Sequence, residues 1–234
     1  MRSMQQMKQV AFWSLIILVC GWSLSCKKKE EVVDFHYNYF PQEKGRFVIY
    51  SVHERNVDSA GSASLNYTRD YFIKTVIGDT LVDNSGRIVK RYLRYTSSSA
   101  NGPWLLKDIW TSYRAGDKAE LVEENNRIIK LVFAPSKYKE WNANAYTVLD
   151  PLDCYYSNLY KSLSINGIHF DSTVTVEQAD ELNLIQYKRK FEKYAANVGL
   201  IQKHYKDFEI NNYDSTSVHK GYELMMDVVQ FGIE

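Results

Sequence analysis

The chain has 234 residues and carries 29 Lys and Arg against 28 Asp and Glu, a formal net charge of +1. That balance removes the electrostatic case for a nucleic-acid partner or for charge-driven binding to an acidic membrane surface. With 18 Tyr, 10 Phe and 5 Trp beside only 4 Pro, the composition also excludes a disordered chain.

The first segment reads as an export signal. Arg2 and Lys8 precede an apolar run from Val10 to Ser25, and no acidic residue interrupts residues 1–25. The run is shorter than the roughly 20 residues a spanning helix needs. A basic start before a short apolar core is the pattern of a secretory leader. Ser23-Leu24-Ser25-Cys26 resembles a lipobox, where a leader is cut before a cysteine that becomes acylated. Cys20 lies in the same run, but Gly21-Trp22 follows it, and a bulky Trp is a poor neighbour after cleavage. We therefore expect residues 1–25 to be a lipoprotein signal peptide and residues 26–36 to be the lipidated Cys26 with a charged tether. An uncleaved anchor and a non-lipidated leader remain the alternatives. Several acyl chains on one cysteine suffice for stable anchoring, so the first expected partner is the membrane.

Removing residues 1–25 leaves 209 residues with 27 basic and 28 acidic side chains. Cys154 is then the one cysteine without a lipid, so no internal disulfide is expected. Leu152, Asp153, Tyr155 and Tyr156 around it supply no cation to lower its pKa, which points to a buried apolar thiol.

Residues 37–234 read as a β-rich domain, with a candidate division into two halves near 135–140. Arg46 to Val52 is β-branched and aromatic on both faces, as in a central strand. Asn66 to Ile77 reads as a strand ending at Gly78-Asp79, and Asp83-Asn84-Ser85-Gly86 as a turn. Strands follow over Arg87 to Tyr95, Trp104 to Tyr113, Lys118 to Val122 and Arg127 to Phe133, with Ser97 to Pro103 a loop. Asp150-Pro151-Leu152-Asp153 reads as the opening of a short helix, and Tyr155 to Leu163 fits helix or strand. Phe170 to Val176, Tyr187 to Tyr194, Gly199 to Tyr205 and Gly221 to Phe231 complete the strands, with a turn at Asn211 to Ser215. The expected fold is mainly β: an antiparallel curved sheet or (half-)barrel of about ten strands with one or two short helices.

Motifs for chemistry are sparse. His36, His53, His169, His204 and His219 share no metal-ligand spacing, so no metal and no cofactor is expected. Ser136-Lys137-Tyr138-Lys139 has S-x-x-K spacing without any companion motif. The paired acids Glu123-Glu124 and Glu177 with Asp180 and Glu181 fall at element ends, where solvated turns explain them. Aromatic side chains on strands can fill a core or line a ligand cavity, and Tyr50, Trp104, Trp110 and Tyr113 are the candidate wall. Asp-Ser/Thr-apolar triplets place candidate O-glycosylation at Ser59, Thr80, Ser172 and Ser215. Asx-turns at strand ends account for the same triplets equally well.

Tyr39-Phe40-Pro41 with Gly45 and Tyr50, Trp141 to Tyr146, Phe170 to Val176 and Tyr194 to Ile201 together resemble a group of Bacteroidota lipoproteins with no assigned activity. Arg46 and Val48 depart from the aromatic that often follows the opening Gly in that group. Lys29-Glu30-Glu31 after Cys26 also resembles a surface-export signal of that phylum. The resemblance implies a β-rich lipoprotein of the outer membrane, on its periplasmic or cell-surface face, and brings no catalytic residues. The leading expectation is a non-enzymatic envelope lipoprotein that binds an apolar or glycan ligand or serves an envelope protein partner. The alternative is an envelope hydrolase whose site this sequence does not display.

Overall fold

The computed structural model describes residues 34–234. The leader, Cys26 and the tether up to residue 33 lie outside the described residues. Twelve strands follow one another: β1 (Arg46–Asp58), β2 (Tyr67–Val82), β3 (Ile88–Ser97), β4 (Leu105–Ala115), β5 (Lys118–Glu123), β6 (Asn126–Val132), β7 (Glu140–Asn142), β8 (Asp153–Ile165), β9 (Ile168–Leu182), β10 (Gln186–Ala195), β11 (Gly199–Asn211) and β12 (Asp214–Ile233). They form one antiparallel sheet in the order β6-β5-β4-β3-β2-β1-β12-β11-β10-β9-β8-β7. Each strand pairs with its neighbour in sequence except β6 with β7, β1 pairs with β12, and the meander curls into a nearly closed barrel.

The expected ten strands are thus twelve, and the expected short helices are two 3-10 turns, Tyr37–Tyr39 and Ala63–Leu65. Tyr155 to Leu163 belongs to strand β8. Asn166 and Gly167 follow it at φ 50° and 79°, the left-handed pair a tight hairpin into β9 requires. Asp150 to Asp153 opens no helix. The Leu152 carbonyl accepts the Ala143 N–H at 2.7 Å and the Asn142 side chain accepts the Leu152 N–H at 2.9 Å, so this backbone is already committed. Strand β2 does not stop at Gly78 but passes through it with a register shift between Ile77 and Thr80, a bulge at a glycine.

The ladder lapses in one place, between β6 and β7. Side chains and a loop bridge it. The Tyr156 hydroxyl donates to the Val132 carbonyl (3.0 Å) and accepts the Val132 N–H (3.1 Å). Trp141 donates from Nε1 to the Ile129 carbonyl at 3.1 Å, and the Ile129 N–H reaches the Ala143 carbonyl at 2.9 Å. The polar edge of β6 is therefore satisfied without a ladder.

Residues 37–42 close one end of the barrel. Tyr39 bonds Ser172 Oγ at 2.6 Å, the Asn197 N–H bonds the Asn38 carbonyl at 2.8 Å, and Arg114 Nη1 donates to the carbonyls of Tyr37 (2.9 Å) and Phe40 (3.1 Å). Tyr39 and Phe40 are buried in a cluster with Leu131, Phe133, Cys154, Tyr156 and Val176. A second cluster joins Val48, Tyr50 and Val52 of β1 to Met226 and Val228 of β12. On the outward face, mid-strand residues form ion pairs, Lys206 with Glu223 at 2.7 Å and His53 with Asp70 at 2.8 Å. A lipid-facing band would place apolar side chains there.

Tyr156→Phe removes both bonds to Val132 while keeping the ring. The expected loss is about 1–3 kcal/mol in denaturant unfolding, with faster hydrogen exchange at the Val132 amide. Unchanged stability would show that the seam holds by apolar packing alone.

Candidate functional site

The barrel interior holds a partly open cavity of about 170 Å³. Phe40, Pro41 and Gln42 of the closing segment form its roof, and Val48, Ile77, Leu121, Leu224 and Met226 give it apolar walls. The rest of the lining is mixed: Trp110, Val198 and Leu200 are apolar, and beside them stand the Tyr50, Tyr92 and Tyr194 rings and six charged side chains, Arg46, Arg94, Glu123, Lys130, Glu192 and Lys203.

Four of those charges form a cluster across the seam. Lys130 Nζ (β6) donates to Glu192 Oε1 (β10) at 2.6 Å and lies 3.2 Å from Glu123 Oε1 (β5). Lys203 Nζ (β11) stands 3.5 Å from Glu192 Oε1, and the Tyr194 hydroxyl donates to Glu192 Oε2 at 2.6 Å. Lys130 and Glu192 keep only 6% and 1% of their side-chain surface exposed. The β5–β6 register explains how a lysine comes to be there. Ala119 pairs with Leu131 and Glu120 with Ile129, so Lys130 is the extra residue of a bulge and can face the interior beside Leu131.

Burial opposes ionisation at each of these groups, and the opposing charges overcome it. Burial alone would raise the Glu192 carboxyl; the Lys130 ammonium, with Lys203 and the Tyr194 hydroxyl, holds it instead at about 2. The same balance lowers Glu123 and raises Lys130. A cluster locked in its ionised form near neutrality is a fixed electrostatic feature and a poor proton shuttle.

Of the residues singled out in the sequence, Tyr50 and Trp110 line the cavity. Tyr50 is buried and donates its hydroxyl to the Leu200 carbonyl at 2.8 Å. Trp110 is the cross-strand partner of Tyr92, stacked with it at 6.2 Å, and the Arg94 guanidinium lies 3.8 Å from the indole centre. Trp104 precedes β4 in a loop, and Tyr113 sits beside Arg87 at 5.0 Å; neither reaches the cavity wall. Ser59, Thr80 and Ser215 are exposed, whereas the Ser172 hydroxyl is engaged with Tyr39. Asp58 accepts the Ala60 N–H at 3.2 Å and Asp214 the Thr216 N–H at 2.9 Å, both in the manner of Asx-turns.

Cys154 is buried, and its thiol is pushed up to about 12, chiefly by burial. His53, His169 and His204 face different carboxylates, Asp70, Asp171 and Asp227, and do not line the cavity. No group of three or more His, Cys, Asp or Glu arranged to hold a metal occurs among the described residues. The cavity charges had one sequence signal: Lys130 is a lone charge in the apolar run Ile128-Ile129-Lys130-Leu131-Val132-Phe133, and a charge so placed needs a buried partner.

No family model matches this chain, and no curated protein matches it. Among solved structures it is similar to a "putative lipoprotein" from Parabacteroides distasonis ATCC 8503, with 12% identity over 83% of this chain and 98% of that one, and a TM-score of 0.42.

Lys130→Met leaves Glu192 and Glu123 facing each other without their shared cation. Denaturant unfolding should show a loss of about 3–5 kcal/mol. The pH dependence follows from Glu192, whose folded value lies below its ordinary 4.5. Its contribution is complete above about 4.5 and is lost as the pH falls toward 2. Melting temperatures of the wild type and Glu192→Gln, followed from pH 6 to pH 2, should therefore converge on the acid side. A constant gap over that range would show that Glu192 does not carry the titration.

Proposed function

We propose that this chain is an outer-membrane lipoprotein, acylated at Cys26, whose barrel is a non-catalytic binding module for a small ligand. The observation that carries the binding half is the cavity with its fixed polar wall. Its size sets the scale of the ligand. An engineered apolar cavity of about 150 Å³ takes up benzene, so 170 Å³ has room for one six-membered ring. Of the two ligand classes expected from the sequence, a single sugar-sized polar ring fits this wall better than an apolar molecule. An apolar ligand would leave the spare donors of Lys203 without an acceptor. The anchoring half rests on the basic start, the short apolar run and Ser23-Leu24-Ser25-Cys26.

Two measurements test the halves separately. Expressed in a bacterial host, the chain should incorporate labelled palmitate and sediment with membranes, and Cys26→Ser should do neither; an acylated or sedimenting variant defeats the anchor. Native mass spectrometry of the full chain, extracted from its own envelope in detergent, should show one bound molecule of roughly single-ring mass. A chain that carries nothing and takes up no ring-sized solute defeats the binding module.

A further inference from the structure

The charges on the cavity wall narrow the ligand further, on the premise that the cavity is a binding site. Four cationic side chains, Arg46, Arg94, Lys130 and Lys203, face it against two carboxylates, Glu123 and Glu192. Those carboxylates are already engaged. Glu192 accepts from Lys130 and Tyr194, one bond on each oxygen, and Glu123 lies against the same Lys130. The counter-ions of the two arginines, Glu43 and Asp108, are not part of the cavity lining. Both carboxylates of the wall are thus drawn to Lys130, and what distinguishes the wall is cationic donors left unused.

Two of the cations have donors to spare. Lys203 has three, and its nearest carboxylate oxygen is 3.5 Å away and already accepts a 2.6 Å bond from Lys130. Its side chain is 24% exposed, against 6% for Lys130, so its ammonium is the more reachable of the two. Arg94 meets Asp108 through Nη1 at 3.2 and 3.1 Å, which leaves Nε and Nη2 outside that pair. Trp110 lies against the guanidinium and limits its motion, so the fork is held ready before any ligand arrives. A planar fork and an ammonium beside aromatic and aliphatic walls match an anion with a ring-shaped body, and the fork matches a carboxylate best.

We infer that the ligand is a small monocyclic carboxylate of the size of a hexuronic acid, recruited by Lys203 and Arg94. The test is calorimetric titration of the detergent-solubilised full chain with matched pairs: glucuronate and glucose, galacturonate and galactose, benzoate and benzyl alcohol. At least one acid should bind about tenfold or more tightly than its neutral counterpart, the scale of one charge-assisted hydrogen bond. Lys203→Gln should remove that preference, and Lys203→Arg should retain it. Both variants should melt near the wild type, because Glu192 keeps Lys130 and Tyr194. Neutral rings that bind as tightly as the acids overturn the inference and leave the binding module standing. Failure of all six solutes to bind overturns both. A preference that survives Lys203→Gln removes Lys203 from the recognition.

Discussion

The contact between Lys130 and Glu192 adds a buried tie across the barrel beside the place where its backbone ladder lapses. Strands β6 and β7 end the sheet order at opposite edges, and the backbone pairing that closes the other eleven boundaries does not close this one. Lys130 belongs to one side of the gap and Glu192 to the other, so their bond ties β6 to β10 through the interior. Removing two charges from water is costly, and their attraction offsets that cost only when further hydrogen bonds complete the shells. Tyr194 and Glu123 supply that completion. The seam and the cavity are therefore one construction, since the group that closes the barrel also charges its lumen.

This arrangement explains the shortage of recognisable chemistry in the sequence. An acid–base site needs groups whose pKa lies near the working pH. Here each charged partner drives the other away from neutrality, Glu192 down and Lys130 up. What such a cluster can do well is present a fixed potential to something that enters. Its neighbours extend that role. Tyr50 has its hydroxyl committed to the Leu200 carbonyl, and Trp110 is held between Tyr92 and Arg94, so both side chains are fixed in the wall.

How much of this was legible in the sequence depends on distance along the chain. Alternation and β-branched content mark Arg46 to Val52, Arg127 to Phe133 and Phe170 to Val176 as strands, and the structure places strands at all three. The strand count fell short because Tyr155 to Leu163 has no clean period, although Asn166-Gly167 just beyond it is a strong hairpin signal. The cavity was legible only in part. Tyr50 and Trp110 are conspicuous as aromatics, but Glu192 and Lys203 are ordinary charged residues in strands with charges on both faces. In β10, Lys188, Lys190 and Glu192 alternate with Arg189, Phe191 and Lys193, and nothing in that pattern says which set turns inward. At Lys130 the inward direction depends on a bulge, which is a property of two strands together.

The closing segment links the two halves of the functional reading through the chain itself. Phe40, Pro41 and Gln42, which roof the cavity, follow the tether within a few residues, and no flexible linker separates them from the barrel. Arg114 grips the carbonyls of Tyr37 and Phe40, and Asn197 grips that of Asn38. Ser112 adds one more, donating its hydroxyl to Gln42 Oε1 at 2.9 Å and fixing the roof to β4. Residues 40–42 thus form the lid of the cavity. Loosening the roof would expose the charged cluster to water, where the bond that closes the seam is weakest. The segment's many backbone contacts then also serve to keep water from the bond between Lys130 and Glu192.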